Sequence, residues 1–240
     1  MTTPTPAPVP RPRVAVVTFP GSNDDGDAVL ALDQLGAEAV PVWHAEPELP
    51  DVQAVVLPGG FSYGDYLRAG ALARLAPVMD AVRAIAAEGG LVLSICNGFQ
   101  ILFEAGLLPG VLRANHSLSF VCRDVPVRVE RNDTPFTRSC IEGQRLTIPV
   151  KHGEGCFFAD TEMLAELDAA RQVVLRYEGE SPNGSVDGIA GIVNAAGNVM
   201  GLMPHPEHAV DPLSGSTDGA FILGSLVDAA REALHEPAAV

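Results

Sequence analysis

The first hundred residues alternate short, almost wholly apolar runs with helical patterns. The apolar runs lie at residues 14–19, 39–43, 52–57 and 91–95. An Ala/Leu-rich helical pattern ends near Gly36, and a longer one covers residues 69–88 before Gly89 and Gly90 stop it. Apolar strands that alternate with helices are typical of a parallel sheet covered on both faces. This half therefore predicts an α/β fold with a doubly wound, mostly parallel sheet flanked by helices.

The second half is richer in strands. Apolar runs recur at residues 125–129, 146–150, 173–177, 189–193 and 199–203. Turn pairs such as Asn183-Gly184 and Gly197-Asn198 separate some of them, and a helical pattern at 219–234 closes the chain. We therefore expect a partly antiparallel extension of the sheet. Since no repeat or linker is visible, residues 13–236 are predicted to form a single domain after a disordered, Pro/Thr-rich tail at 1–12.

Composition narrows the classes of function. A chain of 240 residues with 47% hydrophobic content is long enough to bury one large core. Its 30 acidic and 15 basic residues give a formal charge of −15, which argues against nucleic acid and anionic membranes as partners. The apolar runs end well before the ~18 residues that a membrane-spanning helix needs, and the N-terminus lacks a signal-peptide pattern. We expect a soluble, cytoplasmic protein.

Four cysteines are present, and none stands in C-x-x-C spacing. A disulfide framework or a zinc knuckle is therefore not expected. Three of them, Cys122, Cys140 and Cys156, are predicted to be unreactive small apolar residues.

Cys96 differs because it stands directly after the apolar strand pattern at 91–95 and directly before a helical pattern. Ser94 and Gly98 flank it as small residues flank the nucleophile of a G-x-S-x-G elbow, where larger side chains would collide. Such a turn presents the sulfur at a helix N-terminus, where the partial positive charge favours the thiolate. The alternative is a buried cysteine at the end of a core strand.

His205 follows another apolar run and stands between two prolines, and Glu207 follows the second of them. A thiol that attacks an amide needs a base to take its proton and to return it to the leaving amine. A carboxylate on the far imidazole nitrogen fixes the tautomer. Alone, this pattern also fits a simple turn; together with Cys96 it predicts a Cys–His–Glu triad.

Gly59 and Gly60 follow the third strand pattern and permit close approach of backbone N–H groups to a ligand. With the N–H of Asn97 they are expected to form an oxyanion hole, although a plain glycine turn fits as well. No Gly-Lys-Ser/Thr follows, which excludes a phosphate loop. His205 and His208 have a spacing that suits a metal on a helix, but the prolines argue against a helix, and no metal is predicted.

These elements, in this order, resemble the class I (triad) glutamine amidotransferases, which have a flavodoxin-like fold. Longer strings are similar to those of glutaminase subunits that serve a synthetase of purine biosynthesis, and the similarity covers residues 14–234. The strings are FPGSN (19–23), PGGFSYGDYLR (58–68), CNGFQIL (96–102), PVKHGEG (149–155), NGS (183–185) and MPHPE (203–207).

The resemblance implies the roles of individual residues. Cys96 would form a thioester with glutamine, His205 would relay protons, and Glu207 would orient His205. Gly59, Gly60, Asn97 and Gln100 would bind substrate: Gly60 and Asn97 through backbone oxyanion donors, and Gln100 by holding the amino-acid portion.

The resemblance also implies partners. Ammonia would pass to a larger synthetase subunit, bridged by a small third subunit, that converts formylglycinamide ribonucleotide to its amidine. ATP and Mg²⁺ would belong to that synthetase, and this chain would hold no cofactor.

Two positions depart from the family pattern. Ser94 stands where glycine is usual, and His208 stands where arginine is usual; we expect the first to be tolerated and the second to affect docking rather than chemistry. Two other classes remain open, a stand-alone cysteine peptidase or amidase on a similar sheet and a scaffolding pseudoenzyme.

Overall fold

A computed structural model describes residues 10–234. The strands of this part of the chain are β1 (Arg13–Thr18), β2 (Glu38–Trp43), β3 (Ala54–Leu57), β4 (Leu91–Ile95), β5 (Val111–Arg113), β6 (Val121–Val129), β7 (Arg145–His152), β8 (Cys156–Phe158), β9 (Val173–Tyr177), β10 (Ile189–Val193) and β11 (Val199–Leu202). Its α-helices are α1 (Asp25–Gln34), α2 (Val78–Ala87), α3 (Asn97–Glu104), α4 (Thr161–Ala169) and α5 (Gly219–Ala233).

Nine of the strands form one sheet, in the order β2-β1-β3-β4-β11-β10-β9-β6-β7. The strands from β2 to β11 in this order pair parallel. Those from β11 to β7 pair antiparallel. The predicted fold class is confirmed, and the antiparallel extension is a continuation of the same sheet. Strands β5 and β8 form a separate two-stranded sheet.

The parallel strands lie at the centre of the core. Every residue of β3 is buried, and Val14–Val17 of β1 have no exposed surface. Strands buried on both faces require the continuous apolar runs that the sequence shows. The core extends into the antiparallel half through β10, whose five residues are all buried.

The long helix predicted over residues 69–88 is wrong. The segment contains a short 3₁₀ turn at Ala73–Leu75, and α2 begins only at Val78. Pro77 is the reason, because a proline disfavours helical dihedrals in the residue before it. Ala76 accordingly adopts an extended conformation, with φ −65° and ψ 143°.

The sequence patterns missed β5, β8 and α4. The two strands have three residues each, too few to show a period. Helix α4 is largely exposed, with Leu167 as its buried residue, so its apolar stripe is weak. Its N-terminus does carry a recognisable signal, since the Asp160 carboxylate accepts a hydrogen bond from the Met163 N–H.

The predicted tail at 1–12 lies mostly outside the described residues, as do positions 235 and 236 of the predicted domain. The last tail residues contact the domain. The Arg11 guanidinium donates to the carbonyl of Ala37 at 3.0 Å, and the Pro12 carbonyl accepts from the Glu38 N–H. In the segment 10–234, none of the helices combines the length and the apolar character needed to cross a membrane.

Candidate active site

Cys96 stands on a strained turn between β4 and α3. Its φ of 50° and ψ of −102° lie outside the regions that a non-glycine residue ordinarily occupies. Its N–H donates to the Leu202 carbonyl of β11 at 2.8 Å, which fixes the turn to the neighbouring strand. Strain of this kind persists only where the surroundings enforce it, and it marks functional turns such as the nucleophile elbow.

The small residues around Cys96 are required by its neighbours. A Cβ on Gly98 would lie 2.1 Å from the Leu57 carbonyl oxygen, so no larger residue fits between α3 and β3. Ser94 is fully buried, and its hydroxyl donates to the Met200 carbonyl at 3.0 Å. The structure therefore accommodates serine at this position without an unpaired polar group.

His205 and Glu207 follow β11, which pairs with the strand that leads to Cys96. His205 has no exposed surface, and its backbone N–H donates to the Pro149 carbonyl of β7 at 2.8 Å. His205 Nδ1 lies 2.6 Å from Glu207 Oε1, a distance typical of a charge-assisted hydrogen bond. Strands β4, β11 and β7 thus fix the nucleophile and the base in one arrangement.

The surroundings of His205 stabilise its protonated form. Burial lowers the pKa of the imidazole, but the Glu207 carboxylate and the Cys96 thiol outweigh burial and raise that pKa above its usual value. His205 Nε2 is buried, and no group in the described part of the chain makes a hydrogen bond of good geometry with it. This nitrogen is therefore available for the proton of the Cys96 thiol.

A cavity of about 190 Å³ opens over Cys96. This volume is below the range of roughly 300–1,000 Å³ found for drug-sized ligands and suits a single amino acid better than a peptide. The cavity is lined by Gly60, Phe61, Asp65, Cys96, Gln100, Phe120 and the segment 151–154. A larger cavity of about 490 Å³ shares Gln100 and Glu154 with it but contains neither cysteine nor histidine.

Two backbone N–H groups beside Cys96 are free to bind an oxyanion. Gly60 has a φ of 147° and forms a bridge with Ser22. In this bridge the neighbouring N–H groups of Phe61 and Asn23 are the donors, and the Gly60 N–H has no backbone acceptor among the described residues. The Asn97 N–H is at the first position of α3, where no intrahelical acceptor exists.

The other predicted substrate-binding residues shape the cavity. The Asn97 amide accepts from the Ser62 N–H and donates to the Gln100 amide oxygen at 2.8 Å. The Gln100 amide nitrogen donates to the Glu154 carbonyl at 2.6 Å. Gly59 does not line the cavity; a Cβ there would meet Asp24 at 2.4 Å and His205 at 2.7 Å.

Sequence reasoning gave no role to Asp24 and Asp65, while Lys151 belongs to the string PVKHGEG (149–155) on which the resemblance rests. Asp24 is 3% exposed, and its Oδ2 lies 3.7 Å from His205 Nδ1. The Lys151 ammonium forms an ion pair with Asp24 Oδ1 and lies 2.8 Å from His208 Nε2. Asp65 lines the cavity. The signal that could have found Asp24 is its place directly after FPGSN, on a loop at the end of a buried strand.

Burial and the nearby Glu154 carboxylate together raise the pKa of Asp65 to about 6, against a hydrogen bond from Asn97 that lowers it. The cavity therefore has an acidic wall formed by Asp65 and Glu154. Burial raises the pKa of the Cys140 and Cys156 thiols, and neither of them lines the cavity.

Asp24, His205, Glu207 and His208 lie close enough together to suggest a metal site. The Lys151 ammonium, however, already lies against Asp24 and His208. A second cation beside it would be repelled, so these residues do not fit a metal ion.

The fold, the strained cysteine and the His–Glu pair define a cysteine hydrolase of the triad type. The model of the CobB/CobQ-like glutamine amidotransferase domain matches residues 11–220. The chain therefore belongs to this family of glutamine amidotransferases, and within it to the subunits named PurQ, on the following similarities.

The chain is 58% identical over 218 residues to phosphoribosylformylglycinamidine synthase subunit PurQ of Rubrobacter xylanophilus, covering 91% of this chain and 99% of that protein. It is 57% identical over 224 residues to the Thermus thermophilus subunit, covering 90% of this chain and 99% of that protein. A solved structure of PurLQS from Thermotoga maritima contains a chain that is 44% identical, with a TM-score of 0.84. The match covers 91% of this chain and 98% of that chain. The resemblance predicted from the motifs is confirmed.

Proposed function

We propose that this chain is the glutaminase subunit of phosphoribosylformylglycinamidine synthase and hydrolyses glutamine to glutamate and ammonia. The observation that carries the proposal is the arrangement of Cys96, on its strained turn, beside the buried His205–Glu207 pair and under a small cavity. Family membership favours this function over a peptidase or a pseudoenzyme.

In the proposed reaction, the Cys96 thiolate attacks the carbon of the glutamine side-chain amide. The N–H groups of Gly60 and Asn97 stabilise the oxyanion of the tetrahedral intermediate, an effect typically of about 3–4 kcal/mol per donor. Protonated His205 gives its proton to the leaving nitrogen, so ammonia departs and a thioester remains. His205 then takes a proton from water, which attacks the thioester and releases glutamate and the Cys96 thiol.

Glu207 supports both proton transfers. Its hydrogen bond to Nδ1 fixes the tautomer that presents Nε2 to the thiol and stabilises the imidazolium that forms.

The acidic wall formed by Asp65 and Glu154 suits the α-ammonium group of glutamine. The two carboxylates face one cavity, and their mutual repulsion is relieved when a cation binds between them. Gln100, which is held between Asn97 and Glu154, supports this wall.

The partners follow from the same proposal. Ammonia passes to an ATP- and Mg²⁺-dependent synthetase subunit that converts formylglycinamide ribonucleotide to its amidine in the cytoplasm, with a small third subunit bridging the two. The solved PurLQS assembly, in which a related chain occurs, supports this arrangement.

The test is ammonia release from glutamine by this chain alone and together with the synthetase and the bridging subunit, their substrate and nucleotide. We expect strong activation on assembly. In the assembled complex, Cys96→Ala should abolish glutamine-dependent synthesis and leave synthesis from free ammonia intact. Release from peptides without a preference for glutamine would favour the peptidase, and no release in any combination would contradict the proposal.

A further inference from the structure

A partly buried group of charges lies beside His205, on the side of its Nδ1 atom. It consists of Asp24, which precedes α1, Lys151 of β7 and His208, three residues after the triad histidine. Asp24 Oδ1 accepts from the Lys151 ammonium and lies 3.2 Å from His208 Nε2. Asp24 Oδ2 is directed to His205 Nδ1. None of these contacts is needed for the three-residue triad described above.

His205 Nδ1 therefore faces two carboxylates. Glu207 Oε1 lies at 2.6 Å and Asp24 Oδ2 at 3.7 Å. Two negative charges beside one imidazole would hold it as a permanent imidazolium, which could not act as a base in the second half of the reaction. Lys151 removes this difficulty, because its ammonium neutralises Asp24 and leaves one net negative charge beside His205.

Lys151 also reaches the nucleophile. Its backbone carbonyl lies 3.7 Å from Cys96 Sγ, within range of a weak S–H hydrogen bond. One residue thus contacts the thiol through its main chain and the second carboxylate through its side chain. A shift of Lys151 would change both ends of the Cys96–His205 pair.

We propose that Asp24 and Lys151 are positioning residues of the triad, an oppositely charged pair that holds His205 in place and sets the pH range in which the Cys96 thiolate and the His205 imidazolium coexist. This proposal rests on the proposed function for its biological meaning, although its test does not use glutamine. Gly59 belongs to the same arrangement of residues, since any side chain at this position would separate Asp24 from His205.

The ionised state of the Asp24 carboxyl supports its pairing with Lys151. Burial raises the pKa of this carboxyl, but hydrogen bonding from His208, the charge of His205 and the Lys151 ammonium outweigh burial and bring the pKa down to about 2. Asp24 is therefore charged throughout the neutral range.

Every element packed around His205 contributes to its field. Within residues 10–234, the other titratable groups that contact or act on His205 or His208 are Glu207 and His208 after β11, Asp27 of α1, His152 of β7 and Cys96 before α3. Burial and the charge of His205 lower the pKa of His152 to about 4, so His152 is neutral in the working range. Asp27 Oδ2 lies 4.0 Å from His208 and is half-exposed, where solvent weakens its effect.

The experiment measures the rate of Cys96 alkylation by iodoacetamide against pH in the full chain, with modified peptides separated by mass. Cys122 is exposed, contrary to the unreactive apolar residue that the sequence predicts, and its thiol serves as the solvent-accessible reference in the same tube. All variants carry His208→Gln, so that His208 cannot gain a proton and replace Lys151, and the His208→Gln protein is the reference.

In this background Asp24→Asn removes a negative charge and leaves Lys151. Thiolate formation becomes easier, so the acid limb of the Cys96 profile should move by about one pH unit to lower pH. Lys151→Met leaves Asp24 unneutralised and should move the limb by a similar amount to higher pH. The double variant removes both charges and should return the limb to near the reference, while Lys151→Arg should leave it in place.

Shifts of the same sign in Asp24→Asn and Lys151→Met, or an unmoved acid limb with only a lower rate, would overturn the proposal, because packing damage does not follow charge. Thermal unfolding of each variant identifies proteins that have lost their fold. Glutamine hydrolysis is measured separately, so a chain that shows the opposite shifts but releases no ammonia would contradict the proposed function alone.

Discussion

At the scale of single residues, the site depends on a few contacts that leave little freedom. Cys96 accepts an unfavourable backbone conformation, and His205 is buried between carboxylates with a hydrogen bond of 2.6 Å to Glu207. Substitutions near the triad should therefore lower the free energy of unfolding, because a buried charge without its partner is strongly destabilising.

Glu207→Gln should lower glutaminase activity of the assembled complex by a factor on the order of 10²–10⁴. The neutral amide no longer stabilises the imidazolium and can impose the wrong tautomer. The pKa of His205, which the carboxylate raises, should fall, so the alkaline limb of the kcat/KM profile should move to lower pH. An unchanged alkaline limb would mean that Glu207 does not act through His205.

Asp65→Asn should raise the KM for glutamine by roughly tenfold with a smaller change in kcat, because the loss of one charge-assisted contact costs about 1.5 kcal/mol. The effect should be largest above pH 6, where the carboxyl, whose pKa is about 6, is ionised. Steady-state kinetics at pH 5.5 and pH 8 provide the comparison. Asp51→Asn, an exposed substitution outside the cavity, is the control.

At the scale of elements, the triad depends on the pairing of β4 with β11. Strand β4 ends in Cys96, and β11 leads to His205 and also accepts the Cys96 N–H through Leu202. Small residues at the crossing points keep α3 close to the sheet. Gly201, for example, has the Phe99 ring 2.0 Å from where its Cβ would be.

Gly98→Ala should lower the free energy of unfolding by more than about 2 kcal/mol, because its Cβ would overlap the Leu57 carbonyl. Any protein that folds should show slower Cys96 alkylation. Gly224→Ala is the matched control: Gly224 lies inside α5 with nothing within 4 Å of the added carbon, and the change should stabilise by about 0.5–1 kcal/mol. Urea unfolding measures both values.

The sequence was sufficient to predict the elements whose hydrophobic pattern has a clear period, and the functional residues that directly follow them. The strands at 173–177 and 189–193 have the predicted bounds. Cys96, His205 and Glu207 are brought together as the order of motifs suggested. The Asp24–Lys151 pair could not be found in this way, because it depends on how β7 packs against the segment that precedes α1. That contact joins positions 127 residues apart.

At the scale of the whole molecule, pH acts on stability through buried histidines. His152 is 3% exposed and is held by Asn115 and Asn183, so it is neutral in the folded state. Its pKa of about 4 is below the unfolded value of 6.5. The unfolded chain therefore binds a proton first as the pH falls, and the fold loses stability.

His152 should thus lower the free energy of unfolding by roughly 2 kcal/mol as the pH drops from 7 to 5. His205 acts in the opposite direction, because its pKa is raised in the folded state and its stabilising contribution grows as the pH falls from 7 to 6. This contribution changes little between pH 5 and 6, where the imidazole is mostly protonated in both states. Replacement of His152 by Gln should flatten the dependence over this window, whereas His116→Gln, at an exposed histidine, should not. Denaturant titrations at pH 5, 6 and 7 measure the slope, and an equal slope in the His152 variant would contradict this account.

The position of β11 in the middle of the sheet has a consequence for synthesis on the ribosome. The nucleophile is made more than a hundred residues before its base, which corresponds to roughly 5–20 s of elongation. During that interval β4, which is apolar except for Ser94, has an open edge of the kind that pairs with other chains. The nascent protein is therefore catalytically silent and prone to aggregate over the same interval. Insertion of one late strand ends both conditions, so a chaperone that covers this edge would protect the site as well as the fold.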